Sequence, residues 1–233
     1  METKMTSLFN RNPHAPNVDS NREHALLIAL IASEQERFYT NSLTTGAGQD
    51  MLDALLLTNS KIKDKSRIQL MFSFLKEEGE RCAYNIMIPL FLSENDEEKR
   101  DSAIQKQFMG IERLVKYSKS LNGFLKHIRQ DKILDIKHED LQRGILAWDL
   151  SKMIILARIA FDQQLITEKE AWEYIEFADK KCRQHFTSWE EIGKSYLLGQ
   201  VLNYPEKEDI EKVIRYYHSA IENVESPWVK VPF

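Results

Sequence analysis

Glycine and proline are scarce in this sequence, which has eight glycines and six prolines among 233 residues. An all-β fold needs a turn about every ten residues, and turns depend heavily on these two residue types. Their scarcity argues against a strand-rich fold. Apolar residues recur at helical spacing along most of the chain, so we expect an all-α fold, a single multi-helix bundle of about eight helices.

Cysteine and excess positive charge are also lacking. The two cysteines, Cys82 and Cys182, have the spacing of neither a disulfide framework nor a zinc site. Lysine and arginine number 32 against 36 aspartates and glutamates, for a formal net charge of −4. The chain therefore lacks the concentrated positive face that nucleic-acid binding requires. We expect reduced cysteines and no nucleic-acid partner.

Long hydrophobic runs are absent as well. No stretch reaches the roughly 18 apolar residues of a membrane-spanning helix, and 1–19 has no signal-peptide core. This predicts a cytoplasmic protein with no membrane partner. The polar composition of 1–19 predicts a flexible arm. One helical domain is expected over 20–233, and two lobes, about 20–130 and 139–233, are the alternative.

A buried helix is expected at the centre of the bundle, over about 139–164. Its middle, Met153–Ala157, is apolar on every side of a helix, which is typical of a core position. A long helix is also expected over Asp96–Gln130. At the other end, 226–233 contains two prolines, which predicts an extended C-terminal tail. We expect this tail to be docked because exposing Trp228 would be unfavourable.

The predicted central helix places four charged residues in apolar surroundings, namely Asp149, Lys152, Arg158 and Asp162. Buried charges need partners. At about 100° per residue, the first two lie on one side of the helix and the last two on roughly the opposite side. The simpler interpretation is two structural ion pairs completed by neighbouring helices. The alternative makes Asp149, beside Trp148, an acid, a base or a ligand.

Two capping-box patterns predict helix starts after the central helix. Thr167 precedes Glu170, and Ser188 precedes Glu191, at the spacing that lets a hydroxyl and a carboxylate satisfy free backbone N–H groups. Between the second pair, Trp189 is expected to pack as an apolar anchor.

Glu190 is the remaining unexplained residue of that segment. Lys194 follows it by four residues, so an ion pair on one helix face is the simplest interpretation. The histidines are scattered, without the helical spacing of a metal site. No phosphate-binding, dinucleotide-binding or nucleophile motif occurs, so neither a metal nor a cofactor is expected.

One part of the sequence resembles a known family. The matching stretches are Gly144–Leu150, Ala157-Arg158, Phe161-Asp162, Leu165–Thr167, Ala171-Trp172, Ser188–Glu191, Leu198–Gln200 and Ser226–Trp228, with weaker matches at Ser42–Gly46 and Glu78–Arg81. They are similar to the bacterial domain of unknown function family 1266. The resemblance covers about 25–233 and is strongest over 144–228. The chain departs from the family pattern at Glu80, where histidine is common, and at Gln200, where arginine is common.

The resemblance implies a helical protein in a bacterial cytoplasm, in a setting associated with toxin and secretion systems, and it brings no assigned activity. Our first hypothesis is a protein-binding module, such as an immunity or accessory protein, whose acidic surface suits a basic toxin. The second is an enzyme whose site is built from Asp149, Arg158 and Glu190 on several helices.

Overall fold

The computed structural model of the chain describes residues 9–15, 18–60, 62 and 64–233. These residues are all-α, which confirms the predicted class. Their thirteen helices are α1 (Ser20–Leu27), α2 (Leu30–Glu36), α3 (Gln49–Ser60), α4 (Lys65–Glu77), α5 (Arg81–Ser93), α6 (Glu97–Gln107), α7 (Glu112–Asp131), α8 (His138–Arg143), α9 (Leu146–Asp162), α10 (Glu168–His185), α11 (Trp189–Asn203), α12 (Lys207–Glu222) and α13 (Pro227–Lys230). None of these helices is long and apolar enough to cross a membrane.

Helix α9 is the centre of the arrangement. It packs against α10 and α11 along most of its length and also contacts α2 and α4. Most of its residues are buried, including Met153, Ile154 and Ala157, and they lie on every side of the helix. Helix α11 is buried almost as completely. The all-round apolar segment therefore occupies the core position that its composition predicts.

Two predicted helices are shorter than expected because a glycine interrupts each. The segment 139–164 is divided into α8 and α9 at Gly144, which has φ of +80°. The segment 96–130 is divided into α6 and α7 at Gly110, with φ of +87°. A positive φ is incompatible with a continuing right-handed helix, and glycine adopts it without a steric penalty. These breaks raise the number of helices in the described residues above the expected eight.

The C-terminal tail is docked but is not wholly extended. Pro227 occupies the first position of the short helix α13, where its missing N–H is not needed. The Ser226 hydroxyl accepts the Trp228 N–H at 3.2 Å and so caps this turn. The Trp228 indole N–H donates to the Leu27 carbonyl of α1 at 2.8 Å. The end of the chain is thereby joined to its first helix.

The predicted polar arm, 1–19, lies partly outside the described residues. Within the described segment 9–15, Phe9 is buried and its N–H donates to the Glu34 carboxylate at 2.9 Å. The Thr40 N–H donates to the Asn10 carbonyl at 2.8 Å. This segment is thus attached to α2 and to the loop that follows α2.

Candidate functional site

Asp149 lies in the first turn of α9 and is fully buried. Its carboxylate accepts the backbone N–H groups of Glu80, at 2.9 Å, and Arg81, at 3.1 Å, where α5 begins. The Arg81 guanidinium donates to the same carboxylate at 3.0 Å. A negative charge at a helix start is favourable because the N–H groups there are free and the helix dipole is positive. Asp149 therefore fixes the start of α5 to α9.

Gly79 makes this close approach possible. Its φ of +62° suits glycine, and a Cβ at this position would lie 2.1 Å from the Asp149 carboxylate. Burial raises the pKa of Asp149 to about 6, against the opposing effect of Arg81. The carboxylate has no exposed surface, and its oxygens accept hydrogen bonds from Glu80 and Arg81.

Arg158 is also fully buried, on the other side of α9. Its guanidinium donates to the Ser33 hydroxyl at 3.0 Å. It also donates to three carbonyls of the loop after α2, those of Tyr39, Leu43 and Thr44. Asp162, four residues further on, accepts the Thr45 N–H at 2.7 Å rather than forming an ion pair with Arg158 among the described contacts. Both charged residues thus hold one loop, 39–45, against α9.

Glu190 is exposed and lies apart from Asp149 and Arg158, on α11. Its carboxylate pairs with the Lys194 ammonium at 2.8 Å. Lys194 also lies 3.4 Å from Asp140 of α8. The three candidate catalytic residues are therefore not brought together.

Trp189 and Trp228 form an aromatic cluster at the C-terminal end. Their rings are stacked with centroids 5.4 Å apart and planes 9° apart. The Trp189 indole N–H donates to the Val231 carbonyl at 2.8 Å, and Phe233 packs edge-on against the Trp189 ring. Both indole N–H groups are satisfied by backbone, so this cluster is a packing element.

A cavity of about 410 Å³ lies between α2, α3, α9, α11 and α12, and we call it the Lys152 cavity. Its polar lining residues are Gln35, Glu36, Lys152, Gln200, Asp209 and Lys212, its aromatic ones are Trp148, Tyr196 and Tyr204, and its apolar ones are Ala32, Leu55, Leu56, Ile155, Leu156 and Ile159. The volume is within the range of small-molecule sites, roughly 300–1,000 Å³. An apolar lining with a few polar groups is also typical of such sites.

Lys152 is the notable charge in this cavity. Asp149 is one turn away on α9, but its carboxylate faces Arg81, and no carboxylate of the described residues lies within 4 Å of the Lys152 ammonium. The ammonium instead lies 5.5 Å from the centre of the Trp148 ring. Burial lowers the pKa of Lys152, and Asp149 only partly opposes this. The cavity wall thus holds a desolvated cation without an ion-pair partner among the described residues.

Trp148 adds an unsatisfied donor beside it. The ring is buried, and its indole N–H has no hydrogen-bond partner in the described part of the chain. Gly199 of α11 allows the ring to lie so close, because a Cβ there would be 2.3 Å from the Trp148 Cβ. Tyr196 and Tyr204 flank the ring, with centroids 5.1 and 6.2 Å away.

A second polar network joins α7 to the start of α5, and the sequence patterns did not indicate it. The Tyr117 hydroxyl donates to the Glu80 carboxylate at 2.9 Å and lies 3.3 Å from the Asn203 side chain, while Arg113 pairs with Glu80. Glu80, at the position where the family pattern has histidine, therefore has two protein partners. The members of this network come from α7, α11 and the residue before α5, so no spacing within one helix indicated it.

Fold and site together define an all-α protein with a partly open, partly polar cavity beside its central helix. The model of the DUF1266 family, described as a protein of unknown function, matches residues 56–233. The chain belongs to this family. No curated protein and no solved structure matches it. Among the described residues no three histidine, cysteine, aspartate or glutamate side chains are grouped to hold a metal ion.

Proposed function

We propose that this protein binds a small molecule in the Lys152 cavity. The observation that carries the proposal is the Lys152 ammonium, which lies in the cavity wall without a carboxylate within 4 Å among the described residues. A half-buried cation without a close counter-ion is unfavourable, so its presence in a cavity favours a role in ligand binding. The unsatisfied Trp148 N–H beside it supports the same interpretation.

The enzyme hypothesis built on Asp149, Arg158 and Glu190 has less support. Asp149 and Arg158 are fully buried and hydrogen-bonded to protein groups, and Glu190 pairs with Lys194 on another helix. None of the three lines the Lys152 cavity. A catalytic site requires reacting groups that converge on one substrate position.

A ligand-observed NMR screen with a small-molecule library tests the proposal. In Ile155→Trp, an indole replaces a side chain in the cavity wall; Ile86→Trp makes the same change at an exposed position on α5. We expect compounds that bind the wild type and Ile86→Trp but not Ile155→Trp, with circular dichroism confirming that both variants fold. Equal binding to both variants, or no binding to the wild type, would reject the cavity as the site.

A protein partner is the second candidate function, and two exposed apolar side chains favour it. Met109 and Ile111, on either side of Gly110, are 85% and 52% exposed. We propose for this face a basic protein partner, such as a toxin, because the chain has a net charge of −4. The proposed setting is the bacterial cytoplasm, in an immunity or accessory role, where free Cys82 and Cys182 remain reduced.

Co-expression with the proteins encoded by neighbouring genes tests this second candidate. We expect a stable complex that Met109→Lys weakens, because the added positive charge repels a basic partner. Val224→Lys, at a position 72% exposed near residue 233, is the control and should leave the complex intact. Absence of any complex, or equal effects of the two variants, would count against this partner surface.

A further inference from the structure

We infer that the ligand of the Lys152 cavity is an amphipathic carboxylic acid, with its carboxylate at Lys152 and its apolar body along α9. This inference rests on the proposed small-molecule function and adds the chemical class of the ligand. It is carried by the order of residues on the α9 face that lines the cavity, and by the charges around that face.

The α9 face is polar at one end and apolar at the other. Trp148 and Lys152 come first, and Ile155 and Ile159 follow on the same side of the helix at three- and four-residue spacing. At about 1.5 Å per residue, the distance from the first to the last of these residues is about 16 Å. A ligand that fills this length contacts a cation at one end and methyl groups at the other.

The polar end favours an anion. Asp149 would be the natural partner of Lys152, but it is held by Arg81 at 3.0 Å and by two backbone N–H groups at the start of α5. Its charge is therefore already compensated. A carboxylate at Lys152 restores the missing ion pair, and the adjoining Trp148 ring supplies an apolar face.

The two carboxylates that line the cavity do not make an equivalent site for a cation. Glu36 lies at the end of α2. Burial raises the pKa of the Glu36 carboxyl group, and the nearby Lys212 ammonium partly opposes this effect. Lys212 and Asp209 both belong to α12 and line the same part of the cavity. Positive charge is thus already present beside the Glu36 carboxylate.

The apolar end excludes a simple inorganic anion as the whole ligand. Leu55 and Leu56 of α3, Ile155 and Ile159 of α9 and Ala32 of α2 line the cavity, and Leu55, Ile155 and Ala32 are only partly buried. A small anion at Lys152 would leave the exposed part of these three side chains in contact with water. An alkyl or aryl group attached to the carboxylate removes that surface from water.

Isothermal titration calorimetry with four probes tests the inference: decanoate, decan-1-ol, decylamine and acetate. We expect the intact protein to bind decanoate most tightly and acetate too weakly to measure. Lys152→Met should weaken decanoate binding by about tenfold or more, the size of one charge-assisted hydrogen bond, and should leave decan-1-ol unchanged. Lys152→Arg keeps the charge and should retain decanoate binding. It provides the comparison if Lys152→Met fails to fold. Lys126→Met, at an exposed position on α7 outside the cavity, is the matched control and should change decanoate affinity by less than about threefold.

The outcomes separate this inference from the function on which it rests. Binding of decylamine or decan-1-ol as tight as that of decanoate would overturn the carboxylate assignment and leave a ligand-binding cavity. Failure of all four probes, with cavity-specific compounds still found in the NMR screen, would overturn the ligand class alone. Failure of both experiments would remove the proposed function as well.

Discussion

At the scale of single residues, the four charged side chains of α9 differ in what surrounds them. Asp149 and Arg158 are surrounded by protein donors and acceptors, and Asp162 holds the N–H of Thr45. The Lys152 ammonium lies 5.5 Å from the centre of the Trp148 ring and has no carboxylate within 4 Å among the described residues. The same helix therefore carries three charges that hold neighbouring segments and one without an ion-pair partner in the described part of the chain.

Arg158→Met should destabilise the protein by about 3 kcal/mol or more, because several buried carbonyls each lose a donor at a cost of about 1–3 kcal/mol. Arg129→Met, at an exposed position on α7, is the control and should change stability by less than about 0.5 kcal/mol. Urea unfolding followed by circular dichroism measures both. Similar effects of the two substitutions would contradict the described role of Arg158.

At the scale of helices, close contacts and capping groups fix how the elements meet. Gly199 lets α11 approach the Trp148 ring of α9, and Thr167 and Glu170 form the capping box at the start of α10. The capping box is confirmed as the sequence predicts it. The contact at Gly199 was not predicted, because a lone glycine in a helix does not reveal which neighbour approaches it.

Gly199→Ala should destabilise the protein by about 1–3 kcal/mol, since its Cβ would overlap Trp148 and force α9 and α11 apart. Gly123→Ala provides the comparison within α7, where an added Cβ meets nothing within 4 Å. That change should stabilise by up to about 1 kcal/mol through helix propensity. The two substitutions should change the free energy of unfolding in opposite directions. Changes of the same sign would contradict the close contact at Gly199.

Glu170→Gln should destabilise the capping box of α10 by about 1 kcal/mol near neutral pH. The Lys65 ammonium and the Thr167 N–H and hydroxyl lower the pKa of Glu170 from 4.5 to about 2. The stabilisation is therefore full above pH 4.5 and is lost as the pH falls toward 2. The ion pair between Lys65 and Glu170 is largely exposed, so it contributes little to the free energy of unfolding by itself.

Unfolding free energies of wild type and Glu170→Gln, measured between pH 3 and 7, should converge toward the acid end. Glu173→Gln, in an exposed pair with Lys169, serves as control and should show no such trend. A difference that does not change with pH would contradict the assignment.

At the scale of the whole molecule, the two ends of the described chain meet. Trp228 donates to the Leu27 carbonyl of α1 and stacks on Trp189 of α11. The Ser226 hydroxyl donates to the Ala220 carbonyl at the end of α12. The last eight residues thus connect α1, α11 and α12.

Trp228→Ala should destabilise the protein by about 3–5 kcal/mol, because it leaves a cavity between α1 and α11. Val229→Ala, next to it and 50% exposed, should cost less than about 1 kcal/mol. Thermal unfolding by calorimetry distinguishes them, and a Trp228→Ala protein as stable as the wild type would show that the tail is peripheral.

Much of this architecture could be predicted from the sequence, and the reasons for the misses are physical. The apolar run Met153–Ala157 predicted the buried helix because composition reports burial directly. The breaks at Gly110 and Gly144 were missed because helices tolerate isolated glycines, and only the realised φ shows a break. Arg158 was expected to pair with a carboxylate, but its partners are mostly backbone carbonyls, which no side-chain pattern records.

The candidate site was predictable only in part. Trp148 and Lys152 could be named from the sequence, since both belong to the charged section of the central helix. Their cavity depends on α2, α3, α11 and α12, which meet only in the folded chain. Asp149 does not pair with Lys152 because its carboxylate accepts a hydrogen bond from Arg81, which lies 68 positions away in the sequence.

The most direct test of the central claim is the pKa of the Lys152 ammonium, measured by NMR on protein whose lysines carry ¹³C-dimethyl groups. We predict that Lys152 titrates below the ordinary value of 10.5 in the free protein, because it is buried without a close counter-ion. Adding decanoate should raise this pKa. A Lys152 signal that titrates with the exposed lysines and does not move with decanoate would contradict the account.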